Sequence, residues 1–291
     1  MKVKLKYKGI LFIVLSALCF AFMNMFVRLA GDLPSVEKSF FRNLIAFAIA
    51  LVMLIRQKER FTVEKGNWKF MILRAGFGTI GILCNFYAVD HLVLADASML
   101  NKMSPFFVII FSFLILKEKL TPIQVTAVCG AFAGSLLIIK PTFLNMDLFP
   151  SLIGLCGGLC AGIAYTMVRI LGQRGQKGTT VVLFFSGFSC LVTLPYLLFA
   201  FQPMSIVQML FLLGAGLAAA GGQFSITAAY YHAPAREISV YDYSQIIFSA
   251  AIGYLLFNQI PDRYSVVGYA VIIAMAVWMF FYNQRHEKSP V

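Results

Sequence analysis

Apolar runs of about twenty residues recur along this sequence, too many and too long for any core in water to bury. A window of that length crosses roughly 30 Å of hydrocarbon. It marks ten candidate helices, at about residues 8–30, 36–55, 69–90, 93–116, 123–140, 149–171, 180–201, 206–231, 236–258 and 264–283. Pro34, the charged segment 56–65, Pro122, Pro141, Pro150, the stretch 172–178, Pro203, Pro234 and Pro261 fall between most of them. Only 12% of residues are charged, where a soluble domain keeps about a quarter. The chain therefore reads as an all-α integral membrane protein of ten transmembrane helices. Its connections leave no room for a soluble catalytic head.

The formal charge of +12 excludes no partner by itself, but its distribution excludes nucleic acid. Lysines and arginines form no continuous patch; they cluster between the apolar runs, as topology determinants do. With a cytoplasmic N-terminus, sixteen basic residues face inside (among them Lys2, Lys4, Arg56, Lys117, Arg174 and Arg236) against Lys38, Lys140 and Arg263 outside. Both termini are then cytoplasmic, in a cell (inner) membrane. The basic start Met1–Lys8 precedes an apolar run longer than a signal-peptide core, with no clear cleavage site, so it is read as an uncleaved first span.

The halves are copies. At a constant offset of 141, Cys19/Cys160, Arg28/Arg169, Gly31/Gly172, Gly81/Gly222, His91/His232 and Ser98/Ser239 coincide. Matches of leucine or valine are cheap in so apolar a chain, whereas these residue types are scarce. Five spans per copy is an odd number, so the second copy starts on the opposite side of the membrane. The expected plan is two inverted five-helix repeats, an architecture that places solute near the midplane and alternates access by rocking.

Inside the fourth run sits Lys102, a cation at a depth where it costs about 2.5–3.5 kcal/mol on insertion scales. Ser98, Asn101, Lys102 and Pro105 are spaced i, i+3, i+4 and i+7, so they are expected on one helical face. The second copy repeats that face as Ser239, Asp242, Tyr243 and Ile246, with the opposite charge. The two read as walls of one polar cavity, Lys102 and Asp242 binding the charged ends of a solute or Asp242 carrying a coupling proton. The alternative is an ion pair with a purely structural role. Pro105 removes a backbone hydrogen bond and is expected to kink the helix there.

The segments Leu94–Ala95–Asp96–Ala97–Ser98, Met103–Ser104–Pro105–Phe106–Phe107 and Leu114–Ile115–Leu116–Lys117–Glu118–Lys119–Leu120–Thr121–Pro122–Ile123–Gln124, with Gly134, belong together. They resemble the signature of the EamA-like branch of the drug/metabolite transporter superfamily. Arg42, in Phe40–Phe41–Arg42–Asn43, matches an arginine that this family often carries in its second span. The resemblance implies two domains, residues 1–141 and 142–291, and a carrier of diverse cargo. Departures are Gln259 opposite Glu118, Ile246 opposite Pro105, Leu183 opposite Arg42, and Ala127 where glycine is usual.

Other polar residues admit two readings. Arg42 draws an anionic group into the cavity or snorkels to the interface; Arg74 is expected to snorkel, although Arg74, Gly78, Gly81 and Asn85 could form a slim polar face. Asn24, Tyr87, Tyr165, Gln223, Thr227 and Tyr241 are candidate cavity residues against a background of packing aromatics, and Gln245 gains weight from its nearness to Asp242. Gly130/Gly134 and Gly158/Gly162 have the spacing of close helix contacts. His91 and His232 read as helix ends and Glu118 as a local tie. The six cysteines lie in apolar segments without metal or CxxC spacing and are expected to be buried small side chains.

The expected function is secondary transport of a small polar metabolite, such as an amino acid or organic anion. The lipid bilayer is the surroundings; protons and a second copy of the chain are candidate partners, with no cofactor and no metal. No GxxxxGK[ST] loop is present for ATP. A lipid-linked substrate flippase on the same scaffold is the alternative. An intramembrane enzyme would need a converging nucleophile–base pair or metal cluster, and no HExxH or GxSxG occurs.

Overall fold

A computed structural model describes residues 2–58, 60–116, 121–140, 147–232 and 239–286, and every regular element among them is helical. In chain order these are α1 (Lys2–Leu29), α2 (Ser35–Arg56), α3 (Trp68–His91), α4 (Leu94–Asn101), α5 (Ser104–Leu116), α6 (Pro122–Ile139), α7 (Leu148–Gln173), α8 (Gly178–Ala200), α9 (Ile206–His232), the 3-10 turn Ser239–Tyr243, α10 (Ser244–Phe257) and α11 (Arg263–His286). Nine stretches among the described residues are long and apolar enough to cross a membrane, α4 and α5 counting as one. The tenth expected span differs: it continues from outside the described residues as the 3-10 turn and the 14-residue α10. Phe199 is 91% exposed and Leu255 74%. Such a perimeter is an aggregation hazard in water and an ordinary surface in lipid.

Helices pack mainly between the halves: α1 on α9, α3 on α7, α2 on α8, and α6 on α11. Lipid supplies no hydrophobic drive between helices, so close backbone approach by small residues does the work. Gly134 and Gly268 meet where α6 crosses α11, and a Cβ on Gly268 would lie 2.7 Å from the Gly134 carbonyl. The Thr121 hydroxyl and Gln124 side chain cap the start of α6 reciprocally, with Pro122 in the first turn.

The fourth span is broken rather than kinked. α4 stops at Asn101, Lys102 and Met103 form a turn, and Pro105 is the second residue of a fresh helix, where its missing N–H costs nothing. The expected face therefore runs from Ser98 to Lys102, whose N–H still bonds the Ser98 carbonyl at 3.0 Å, and does not extend to Pro105. Broken backbone at this depth has to be covered by protein, and the glycine face of α7 does so. A Cβ on Gly158 would sit 2.5 Å from the Leu100 carbonyl, and Gly162 abuts Phe107 and the Ser104 carbonyl.

Lys38 is fully buried, its ammonium donating to both Asp90 carboxylate oxygens at 2.7 and 2.8 Å. One further expectation changes. Of the cysteines only Cys160 is buried; Cys129 and Cys156 are exposed on the perimeter, and none is bridged. Glu118 lies outside the described residues.

Candidate functional site

Between the halves lies a cavity of about 90 Å³, room for several waters. α1 contributes Phe20, Met23 and Asn24; α2 gives Arg42; α3 gives Arg74, Gly78, Gly81, Ile82 and Asn85; the break after α4 gives Asn101 and Lys102. The opposite wall is Ala161, Ala164 and Tyr165 of α7, Phe185 of α8, Gln223 of α9 and Gln245 of α10.

Lys102 and Asp242 do not face each other across open space. The Lys102 ammonium donates to Asp242 Oδ2 at 2.6 Å, so the cation and anion of the two expected walls are one ion pair. Both side chains are largely buried, and Asp242 Oδ1 has no partner among the described residues. The reason they meet is the pair of irregular turns: each charge sits where helical hydrogen bonding lapses, and the turns pack on each other. The Lys102 carbonyl, bypassed when Phe106 and Phe107 bond back to the Met103 carbonyl, accepts instead from the Tyr243 hydroxyl at 3.2 Å. Tyr243 is thus a tie across the break and not a cavity residue.

Ser98 is also behind the lining. Its hydroxyl shares a 2.8 Å hydrogen bond with Ser249 and accepts from Asn24 at 3.4 Å, and Asn24 accepts in turn from Asn85 at 3.2 Å. This buried chain leads from the cavity wall to α10. Ser239 falls in the 3-10 turn, its side chain outside the description. Of the expected site residues, Asn101, Lys102, Arg42 and Gln245 line the cavity; Ser98, Asp242 and Tyr243 support it.

Arg42 is only 3% exposed and Arg74 6%. Arg42 Nη1 donates to the Asn43 side chain at 2.5 Å, and Asn43 is pinned by Ser39 and Ser189. The Arg74 guanidinium carbon lies 4.2 Å from the centroid of the Phe185 ring. The expectation that Arg74 snorkels is overturned: Gly78, one turn on, removes the Cβ that would clash with its guanidinium and with Phe185, so the side chain lies flat into the cavity. The i, i+4, i+7, i+11 spacing of Arg74, Gly78, Gly81 and Asn85 was the signal, and all four line the wall. Tyr165, Asn24 and Gln223 join them, whereas Tyr87 stacks on His91 and Tyr241 packs on Phe280. Phe20 and Phe185 carried no signal, since phenylalanines occur throughout the chain. Among the described residues no cluster of His, Cys, Asp or Glu has metal-binding geometry.

A family model described as "EamA-like transporter family" matches residues 7–140 and again 149–281. The pseudopaline exporter CntI of Pseudomonas aeruginosa is 30% identical over 271 residues, covering 92% of this chain and 94% of that one. Human solute carrier family 35 member G1 is 28% identical over 92% of this chain and 78% of its own. A riboflavin transporter of Brucella anthropi is 26% identical, with 89% and 94% covered. A solved crystal structure superposes with a TM-score of 0.63 over 98% of both chains at 16% identity, a likeness of fold.

Proposed function

The chain belongs to the EamA-like transporter family, and we propose that this multi-pass membrane transporter is a secondary carrier of a small polar solute. The named relatives differ in cargo, so the family leaves the solute open. The observation that carries the reading is the polar cavity at the meeting of the two halves, where three basic side chains converge. Amides, two arginines and a lysine line it, an arrangement with no structural need in a purely supporting helix bundle.

Alternating access by two inverted repeats, residues 1–141 and 142–291, is supported by the lining itself. Phe20/Ala161, Met23/Ala164, Asn24/Tyr165 and Ile82/Gln223 all border the cavity and are pairs at the repeat offset. The main contacts agree: shifting both partners by one repeat turns the α1–α9 contact into α7–α3. Ten spans, cytoplasmic termini and residence in the cell membrane complete the proposal. Asp242 is the candidate for a coupling proton, since protonation would release Lys102.

Reconstitution into liposomes tests this. Amino acids, organic acids and nucleosides are offered with and without a pH gradient. Saturable uptake of at least one solute above empty liposomes is expected. Uptake of none, from correctly folded protein, refutes the carrier. Asp242→Asn is expected to abolish any part driven by the pH gradient, and an unaltered response removes the proton role.

A further inference from the structure

Resting on the carrier reading, we propose that Arg42 and Arg74 form an anion subsite and that the solute is a small dianion bearing carboxylate or phosphate groups. The inference is one of charge balance. Arg42, Arg74 and Lys102 border the cavity, and no carboxylate among the described residues does. Asp242 is spent on Lys102. That leaves two guanidiniums, which keep their charge under all ordinary conditions.

Among the described residues neither is compensated, and the Nε atoms of both are buried without a hydrogen-bond partner there. Arg42 has a neutral amide on one nitrogen and Arg74 the face of Phe185. An amide and a ring orient a cation without neutralising it. The two border the same cavity. Buried like charges without counterions are costly to hold, so the ligand that fits supplies two negative charges. A zwitterion leaves the imbalance unchanged and a cation worsens it. A guanidinium is a planar fork of donors that pairs with carboxylate or phosphate through two parallel hydrogen bonds. Gly78 is the seat that permits it, because a Cβ there would lie 2.8 Å from the Phe185 ring and strike Arg74.

The test uses purified full-length protein in detergent, at constant ionic strength. Its thermal unfolding is followed with succinate, succinamate and succinamide, which step the charge from two to one to none at nearly fixed shape. Affinity is expected to fall at least tenfold from succinate to succinamate and further to succinamide. Methyl phosphate, run alongside, distinguishes a phosphate ester from a dicarboxylate as the better occupant. Arg74→Gln is expected to raise the melting temperature of the ligand-free protein, because an uncompensated charge is removed, and to weaken succinate binding at least tenfold. Arg42→Lys, which keeps the charge and loses the fork, should fall between. Equal affinities across the series, no response to either dianion, wild-type succinate binding by Arg74→Gln, or a lowered melting temperature in that variant each overturns the proposal. Its failure is separable from that of the carrier. If the binding series holds but no solute crosses liposomes, the subsite stands and the carrier falls. Neutral solutes crossing while dianions do not bind gives the reverse.

Discussion

The wall contributed by the first half of the chain and the wall contributed by the second share four repeat positions but differ in charge. The first brings Arg42, Arg74 and Lys102; at the corresponding places the second has Leu183, Ala215 and Tyr243. It answers with Asp242, Tyr165, Gln223 and Gln245, one carboxylate and several uncharged donors. Glycine positions recur across the halves, and the charges of the cavity wall do not. The halves therefore diverge in the residues that line the cavity, which face open space more than each other. Among the described residues the charged contact between the walls is Lys102 with Asp242, the first at the break after α4 and the second in the 3-10 turn before α10.

Breaking that contact should have the largest effect. Lys102→Met or Asp242→Leu alone strands a buried charge, a loss of about 3–5 kcal/mol. The double variant should regain most of that stability, because neither charge is then left unpaired, yet stay inactive in liposomes. A double-mutant cycle of unfolding in detergent measures the coupling. Single variants as stable as the parent would mean that the walls are held by packing alone. Asp90→Ala is the matched control away from the cavity: it strands Lys38 at similar cost and should leave solute affinity unchanged.

The same contrast explains what could be read ahead of the structure. Spans were legible because lipid forces every backbone group into a helix and every perimeter residue to be apolar, which a hydropathy window detects. Lys102, Asp242, Arg42 and Gln245 were legible because charge or amide within such a window is rare. Arg74 was misjudged because the chain fixes its depth near a span end and says nothing about which way Gly78 and Phe185 let it turn. Ser98 and Tyr243 were found for the wrong reason. Ser98 does lie one turn before Lys102, but its hydroxyl turns to Ser249 and Asn24, and Tyr243 bonds the carbonyl left open by the break that Gly158 accommodates across the bundle. A helix wheel cannot anticipate a tertiary contact of that kind.

Next in size is the cover over the first wall's break. Gly158→Ala drives a methyl to 2.5 Å from the Leu100 carbonyl, where backbone has to shift. Overpacking of this sort costs about 1–3 kcal/mol. Lower thermal stability with weakened solute binding is expected; an unchanged melting curve would show that the break is looser than its contacts imply. Smaller again is Tyr243→Phe, which removes the hydroxyl that satisfies the Lys102 carbonyl, for about 1 kcal/mol. Because the tie runs from the second half to the first, the variant is expected to alter transport rate more than solute affinity.

The smallest effect lies at the rim, where the halves meet through Lys140 at the end of α6 and Asp262 at the start of α11. These two form an exposed ion pair, and Asp262 also accepts from the Ser265 N–H at 2.8 Å, capping α11. Partial burial pushes the Asp262 carboxyl up, but the hydrogen bonds from Lys140 and Ser265 and the ammonium's charge outweigh it and hold the group below its ordinary range. A lowered carboxyl contributes stability above its unfolded value, near about 4, and loses it as pH falls through the folded one. Exposure limits the pair to about 0.2–1 kcal/mol. Lys140→Met should therefore destabilise slightly at pH 7, and the difference from the parent should shrink toward zero as the pH falls through the lowered folded-state value. Asp262→Asn keeps a capping oxygen and isolates the charge, so it should reproduce the Lys140→Met loss. A deficit that persists at low pH would place the contribution of Lys140 in packing instead of charge. The rim would then resemble the apolar contacts between the halves more than the Lys102–Asp242 bridge.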